Sequence, residues 1–286
     1  MVMPSSPALR TSSLAVSNTP ELRALRQPPC PEEETIARCR ELRAIEDALD
    51  RLPDGAGRLP APHDVALLLR NRAATMPLVL ARLDGPLPAT ADHSSAVRNG
   101  WLVNLAGEWR CADAIPALLH HLGAPHAYAD EDVLHALTRI GPHAMGPLLL
   151  ALFDRGASVQ RRVRAARVLS SIAIAARLHG HRPEWPGRGE QQAREIAAAM
   201  RLLLARAGVE PHPVLRAAVR ALCDMRWVEA RREIVEFVER GPLAEDETFN
   251  VELLELTLCG TLEDVELGAW DVSLLAWMTK EVLESR

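Results

Sequence analysis

Aromatic side chains are close to missing from this chain. They make up 3% of 286 residues, with one tyrosine and three phenylalanines, too few for the aromatic and β-branched pairing that stabilises a β-sandwich. Lysine is rarer still: of 33 basic residues all but Lys280 are arginine. So one-sided a choice reads as coding bias rather than a demand for guanidinium chemistry, although arginine suits bidentate carboxylate or phosphate contacts. The five cysteines, Cys30, Cys39, Cys111, Cys223 and Cys259, are scattered and form no CxxC pair. That removes a disulfide framework and a cysteine-rich metal site, and points to reduced, structural thiols. No run approaches the ~18 apolar residues of a membrane span, and the N-terminus lacks the apolar, positively flanked stretch of a secretory signal. A cytoplasmic location is therefore expected. Also missing are a phosphate-binding P-loop, a GxGxxG turn and a GxSxG nucleophile elbow.

What the chain has is aliphatic. Hydrophobic residues make up 48% of it, chiefly Ala, Leu, Val and Ile, of which Ala and Leu favour helices. Residues 1–31 hold six prolines and several serines with no apolar period, the composition of a disordered leader. A helix is expected after Pro31, with Glu32, Glu33 and Glu34 in its first turn, where the helix dipole favours acids. It should stop at the PDGAG run after Leu52.

From Pro62 onward the sequence repeats itself. MPLVLARL (76–83), IPALLHHL (115–122) and GPLLLALF (146–153) each place a proline early in an apolar helix, followed by leucines three or four apart. After a short break each is followed by a second apolar helix. Five pairs are expected: 74–84 with 93–107, 113–122 with 130–140, 143–153 with 157–178, 190–207 with 212–225, and 228–240 with 245–259. The second helices share an apolar–Arg opening, as in AVRNGWLVNLA, RVRAARVLSSIA and PVLRAAVRALC, and carry one apolar stripe each. Repetition of helix pairs is the mark of a solenoid, in which each unit buries its face against its neighbours.

The pattern IPxLLxxL, a turn, then a helix opening with Val-Arg resembles HEAT-like repeats of the armadillo-type α-solenoid class, including the short variety found in bacteria. The resemblance covers residues 62–260. It implies an all-α, right-handed superhelix of about five helix pairs, preceded by an N-terminal helix and linker over 32–61. Residues 261–286 are read as a C-terminal capping helix, on which Trp270, Leu274 and Trp277 form one stripe. The resemblance also implies that the second helices line a concave face.

Charge is divided unevenly. Residues 155–232 carry 16 arginines against 6 acids, and residues 233–286 carry 14 acids against 3 bases. Many of the arginines fall on second helices. Three readings stay open: a structural ladder between repeats, a site for an acidic protein segment, and nucleic acid. The last is disfavoured by a pI of about 6.1 and by the lack of interleaved aromatics beyond Trp185 and Trp227. The partner-binding candidates are Arg98 and Trp101, Arg164 and Arg167, and Arg216 and Arg220, residue types enriched at binding hot spots.

His120, His121, His126, His135 and His143 crowd together in sequence beside Asp130, Glu131 and Asp132. Adjacent histidines on one helix cannot point the same way, and no His-Glu dipeptide occurs, which excludes the iron-binding enzyme class known on HEAT-like repeats. Cys111 follows Arg110, a neighbour able to lower a thiol pKa, and it has no placed base. The expected function is a non-catalytic scaffold or adaptor that holds a protein partner, of acidic character, on the concave face, without cofactor or metal. The alternatives are a HEAT-like lyase or isomerase acting on a bilin-type chromophore, and a HEAT-like nucleic-acid-binding protein.

Overall fold

A computed structural model describes residues 31–53, 59–84, 93–123, 130–179, 188–239, 241, 243 and 257–258. Among them are eleven α-helices and no strand. The chain divides into two compact units, Met1–Arg43 and Ala44–Arg286. The first contributes the opening turns of helix α1 (Pro31–Asp50). The second holds the remainder of α1 together with α2 (Pro62–Arg70), α3 (Arg72–Leu83), α4 (His93–Glu108), α5 (Ile115–His121), α6 (Asp130–Ile140), α7 (Pro142–Phe153), α8 (Val159–His179), α9 (Gly189–Ala205), α10 (His212–Asp224) and α11 (Arg231–Glu239). None of the described helices is long and apolar enough to cross a membrane.

The expected pairs are present as far as the described residues reach. Of the second helix of the fifth pair, 245–259, only Thr257 and Leu258 are described, and the leader and the 261–286 segment lie outside. Helix α2 is an addition. The repeats register it only as their starting point, and it begins on Pro62, whose fixed φ suits a first helical position. The first helices open close to the expected bounds, α3 two residues earlier and α7 one. Pro116 is near the start of α5, but Pro77 and Pro147 are interior to α3 and α7. Each carries a turn before its proline, within the expected starts at 74, 113 and 143 to one or two residues. That turn is α-helical in α3 and α7 and a 3₁₀ turn, Ala112–Ala114, ahead of α5. The carbonyls that lose their partners belong to Ala73 and His143, both on exposed residues where water can reach them.

Packing alternates along the second unit. Helices α3, α5 and α7 touch in that order, as do α4, α6, α8 and α10; within pairs, α3 meets α4, α5 meets α6, α7 meets α8 and α9 meets α10. The core is one cluster running through all of them, with Leu118, Leu137, Leu148, Leu169, Ile172 and Leu222 fully enclosed. Helix α8 contacts α6, α7, α9 and α10. It is buried on nearly every side from Ala165 to Ala176, with alanines at 165, 166, 173, 175 and 176. Small side chains there let four neighbours approach, and a helix apolar all round belongs in a core.

Arginine joins these helices by donating to backbone carbonyls at helix C-termini, where orphan acceptors and the negative end of the dipole lie. Arg72 Nη2 donates to Trp109 O at 2.7 Å and Arg177 Nη1 to Met225 O at 2.6 Å. Trp109 and Met225 are equivalent positions. Each precedes an arginine in the left-handed region, Arg110 (φ 51°) and Arg226 (φ 53°). In each, the next residue, Cys111 or Trp227, donates back to the carbonyl five residues earlier at 3.0 Å, which closes a Schellman cap. Arg177 also lies over the Trp227 ring, 5.6 Å from its centroid.

The deepest of these contacts involves Arg162, 2% exposed. Its Nε donates to Leu152 O at the end of α7 at 2.7 Å, and its Nη2 is bonded to Glu210, 8% exposed, in the turn ahead of α10. One buried guanidinium thus ties α7, α8 and the approach to α10. Removing Arg162 leaves the buried Glu210 carboxylate only the partly exposed Arg155, whose Nη2 is 3.5 Å away. Arg162→Ala is expected to cost about 3–5 kcal/mol, and Arg162→Met with Glu210→Met far less; urea unfolding of the two variants checks this.

Candidate functional site

The α4–α6–α8–α10 row carries a continuous set of polar side chains. On α4, Gly100 and Asn104 lie four residues apart and share a face. A Cβ at Gly100 would fall 2.7 Å from Asp132 Oδ2, and one at Gly107 would fall 2.7 Å from the Ala136 backbone. The two glycines therefore set how closely α4 and α6 approach. Into that contact Asn104 Nδ2 donates a 3.0 Å bond to Asp132 Oδ1.

Helix α6 supplies the centre. Desolvation holds the Asp132 carboxyl above its ordinary value, with Asn104, His135 and Arg139 pulling the other way. Burial likewise lowers the His135 pKa against the pull of Glu131 and Asp132, with Arg139 and Arg167 adding to the lowering. Its Nε2 lies 4.0 Å from Glu131 Oε2. Glu131 in turn accepts both arms of Arg167 from α8, at 2.7 and 3.1 Å. On the other flank Arg139, its pKa lowered by desolvation, reaches Glu108 of α4 at 3.6 Å.

Helix α10 closes the row. Asp224 is pushed up by desolvation, tempered by Arg220, Arg226 and Arg167, and accepts a 3.0 Å bond from Arg220 Nε. Charge therefore alternates from helix to helix: Glu131 on α6, Arg167 on α8, Asp224 then Arg220 on α10. Titratable groups desolvated together at the surface of a scaffold are a recognised mark of functional sites.

Each candidate residue from the sequence lies on this row. Arg98 and Trp101 are half-buried on α4, Arg164 is half-buried and Arg167 exposed on α8, and Arg216 and Arg220 are exposed on α10. Arg167 and Arg220 are brought into one network with Asp224. Their guanidinium groups are already engaged by carboxylates of the same chain. Trp101 packs against the core, and its indole Nε1 is buried without a hydrogen-bond partner among the described residues. Sequence reasoning singled out neither Asn104 nor Asp224. The available signal was Gly100 four residues before Asn104, a small residue clearing space for a polar one.

The histidine crowd does not converge. His120 is exposed, while His121 is buried with Nε2 3.2 Å from Leu83 O. A carbonyl can only accept, so the ring is the Nε2–H tautomer, and burial lowers its pKa. Among the described residues no three His, Cys, Asp or Glu side chains are placed to hold a metal ion. Cys111 and Cys223 are buried, and desolvation pushes the Cys223 thiol up to about 12, far from a reactive thiolate. No family model, curated protein or solved structure matches the chain.

A carboxylate whose folded pKa is raised binds its proton more tightly in the native state. Asp132 therefore favours folding at acid pH and loses that contribution as pH climbs from its ordinary value near ~4 through the raised one. Asp132→Asn keeps an oxygen for Asn104 and removes the desolvated charge. At pH 7 it is expected to match or exceed the wild-type stability by up to about 1 kcal/mol and to flatten that pH slope, as measured by urea unfolding between pH 4 and 7.

Proposed function

We propose that this chain is a HEAT-like α-solenoid acting as a non-catalytic scaffold, with the α4–α6–α8–α10 row as the face that holds a protein partner. The observation that carries the reading is the polar row itself. Three of its groups, Asp132, His135 and Asp224, are held off their ordinary pKa values by desolvation. Such burial costs stability unless something else selects for it. The contacts of α3 with α5 and α5 with α7, and of α4, α6, α8 and α10 in series, support the repeat architecture.

The row's chemistry narrows the partner. Carboxylates at Glu131, Asp132 and Asp224 stand among the arginines, so a phosphate backbone would meet repulsion beside every attraction. Nucleic acid suits this face poorly. A polypeptide with side chains of both signs, or with amides that match both, fits better than a purely acidic segment, because Arg167 and Arg220 already have internal counter-charges. The candidates retained for direct contact are Arg216 and Arg220 on α10, both exposed, with Arg98, Trp101, Arg164 and Arg167 forming the rest of the face.

Full-length protein used as bait in extract of its native host provides the test. Proteins held by the wild type should be lost at least tenfold by Arg216→Glu with Arg220→Glu. They should be retained by Arg194→Glu, an exposed arginine of α9, in quantitative mass spectrometry of the captured material. Identical captured sets for the two variants would remove the assignment.

A further inference from the structure

Away from the polar row, helices α9 and α11 leave a cleft of about 680 Å³ between them. Its apolar lining comes from Ala198, Leu202 and Ala205 of α9 and Phe237 of α11. An amphipathic helix keeps its apolar residues toward the core, and α9 does so with Ile196, Met200 and Leu203, all fully buried. It then presents a second apolar stripe outward. Ala198, Leu202 and Ala205 stand at i, i+4 and i+7, along about 10 Å of helix, and all three are exposed, Leu202 to 43%.

The charge beside this stripe is acid in excess. Arg201 lines the cleft but is committed to α11: its Nε donates to Glu233 Oε2 at 2.7 Å and its Nη2 to Glu233 Oε1, with Glu229 adding to the attraction. Glu236, three residues beyond Glu233 on the same face of α11, also lines the cleft. It is exposed and has no hydrogen bond or ion pair among the described residues. The cleft therefore offers an uncovered apolar floor and one uncompensated carboxylate. A phosphate group or an acidic segment would meet repulsion there, whereas an apolar body that carries a cation satisfies both.

Shape narrows the occupant further. Along the α9 stripe the side chains run small, large, small. A helix laid over it fits with the order reversed, bulky residues over the two alanines and a small one against Leu202. We propose that the α9–α11 cleft receives an amphipathic, basic helix of a protein partner. Two bulky apolar side chains seven residues apart sit in the notches over Ala198 and Ala205, a small residue faces Leu202, and a lysine or arginine pairs with Glu236. In helix-in-groove recognition the apolar anchors supply affinity and the flanking charge fixes register. None of the lining residues belongs to the α4–α6–α8–α10 row, so variants of one surface leave the other intact.

The probe is a fluorescein-labelled peptide of about four helical turns, with Leu, Ala and Leu at i, i+4 and i+7 and lysine and alanine elsewhere. Full-length protein is titrated into it and binding is read by fluorescence anisotropy. Ala198→Trp, which fills one notch from an exposed position, is expected to weaken binding at least tenfold, and Glu236→Lys roughly threefold or more. Glu239→Lys makes the same charge change at an exposed position of α11 outside the cleft lining and should leave the affinity as in wild type. The same peptide with glutamate in place of every lysine should bind at least tenfold more weakly. Saturable binding with this pattern supports the assignment. Failure of the lysine peptide to bind wild type, or equal losses in Glu236→Lys and Glu239→Lys, overturns it. So does a sedimentation coefficient that rises with protein concentration in wild type but not in Ala198→Trp, which would assign the cleft to a second copy.

Discussion

The buried pair of Arg162 and Glu210 is the constraint around which the second unit is arranged. A guanidinium removed from water is tolerable only where every arm finds an acceptor, and Arg162 finds Leu152 O and the Glu210 carboxylate. Those acceptors come from the end of α7 and the turn before α10. Helix α8, which carries Arg162, must therefore sit where both converge, and its alanine-rich surface lets α6, α7, α9 and α10 close around it. The pair does not have to add stability to matter. Its value lies in the alternatives it forbids, because any slip of α8 along its neighbours strands two charges in an apolar interior.

Arginine at other junctions follows the same logic with less burial. Arg72 and Arg177 close the carbonyl ends of α4 and α10. Arg139 and Arg167 carry ion pairs from α4 to α6 and from α6 to α8. The exposed pairs contribute little individually, so their interest lies in position. They leave a second-helix surface on which charge alternates and three titratable groups are half out of water. This surface is partly dehydrated, and Arg139, Arg167 and Arg220 on it are paired with carboxylates of the same chain.

Much of the architecture was legible in the sequence, because leucine spacing and proline recurrence report directly on which face of a helix is buried. The boundaries of α4, α6, α8 and α10 come from that period. Only the very first residues were less visible: the expected helices open at 74 and 143, whereas α3 and α7 open at 72 and 142, where the leucine signature carried by 78–83 and 148–152 is missing. The excess of arginine over acid between 155 and 232 was visible as a number but not as a surface. Composition cannot tell Arg162, enclosed between α7 and the approach to α10, from Arg216, exposed on α10 only 54 positions later. The site was half legible for the same reason. Charged residues announce themselves, whereas the clearance that lets Asp132 sit against α4 is provided by the missing side chain of Gly100.

The capping arginines also bear on how the chain assembles. Arg72 reaches 37 residues ahead to Trp109, while Arg162 and Arg177 each reach 48 residues, to Glu210 and Met225. Each junction is thus completed by a stretch of chain little longer than one helix pair. Contacts of such short sequence range carry a small loop-closure penalty and favour rapid folding. A chain joined this way can consolidate one pair at a time as it leaves the ribosome, each arginine waiting for a single carbonyl from the next segment rather than for a distant terminus.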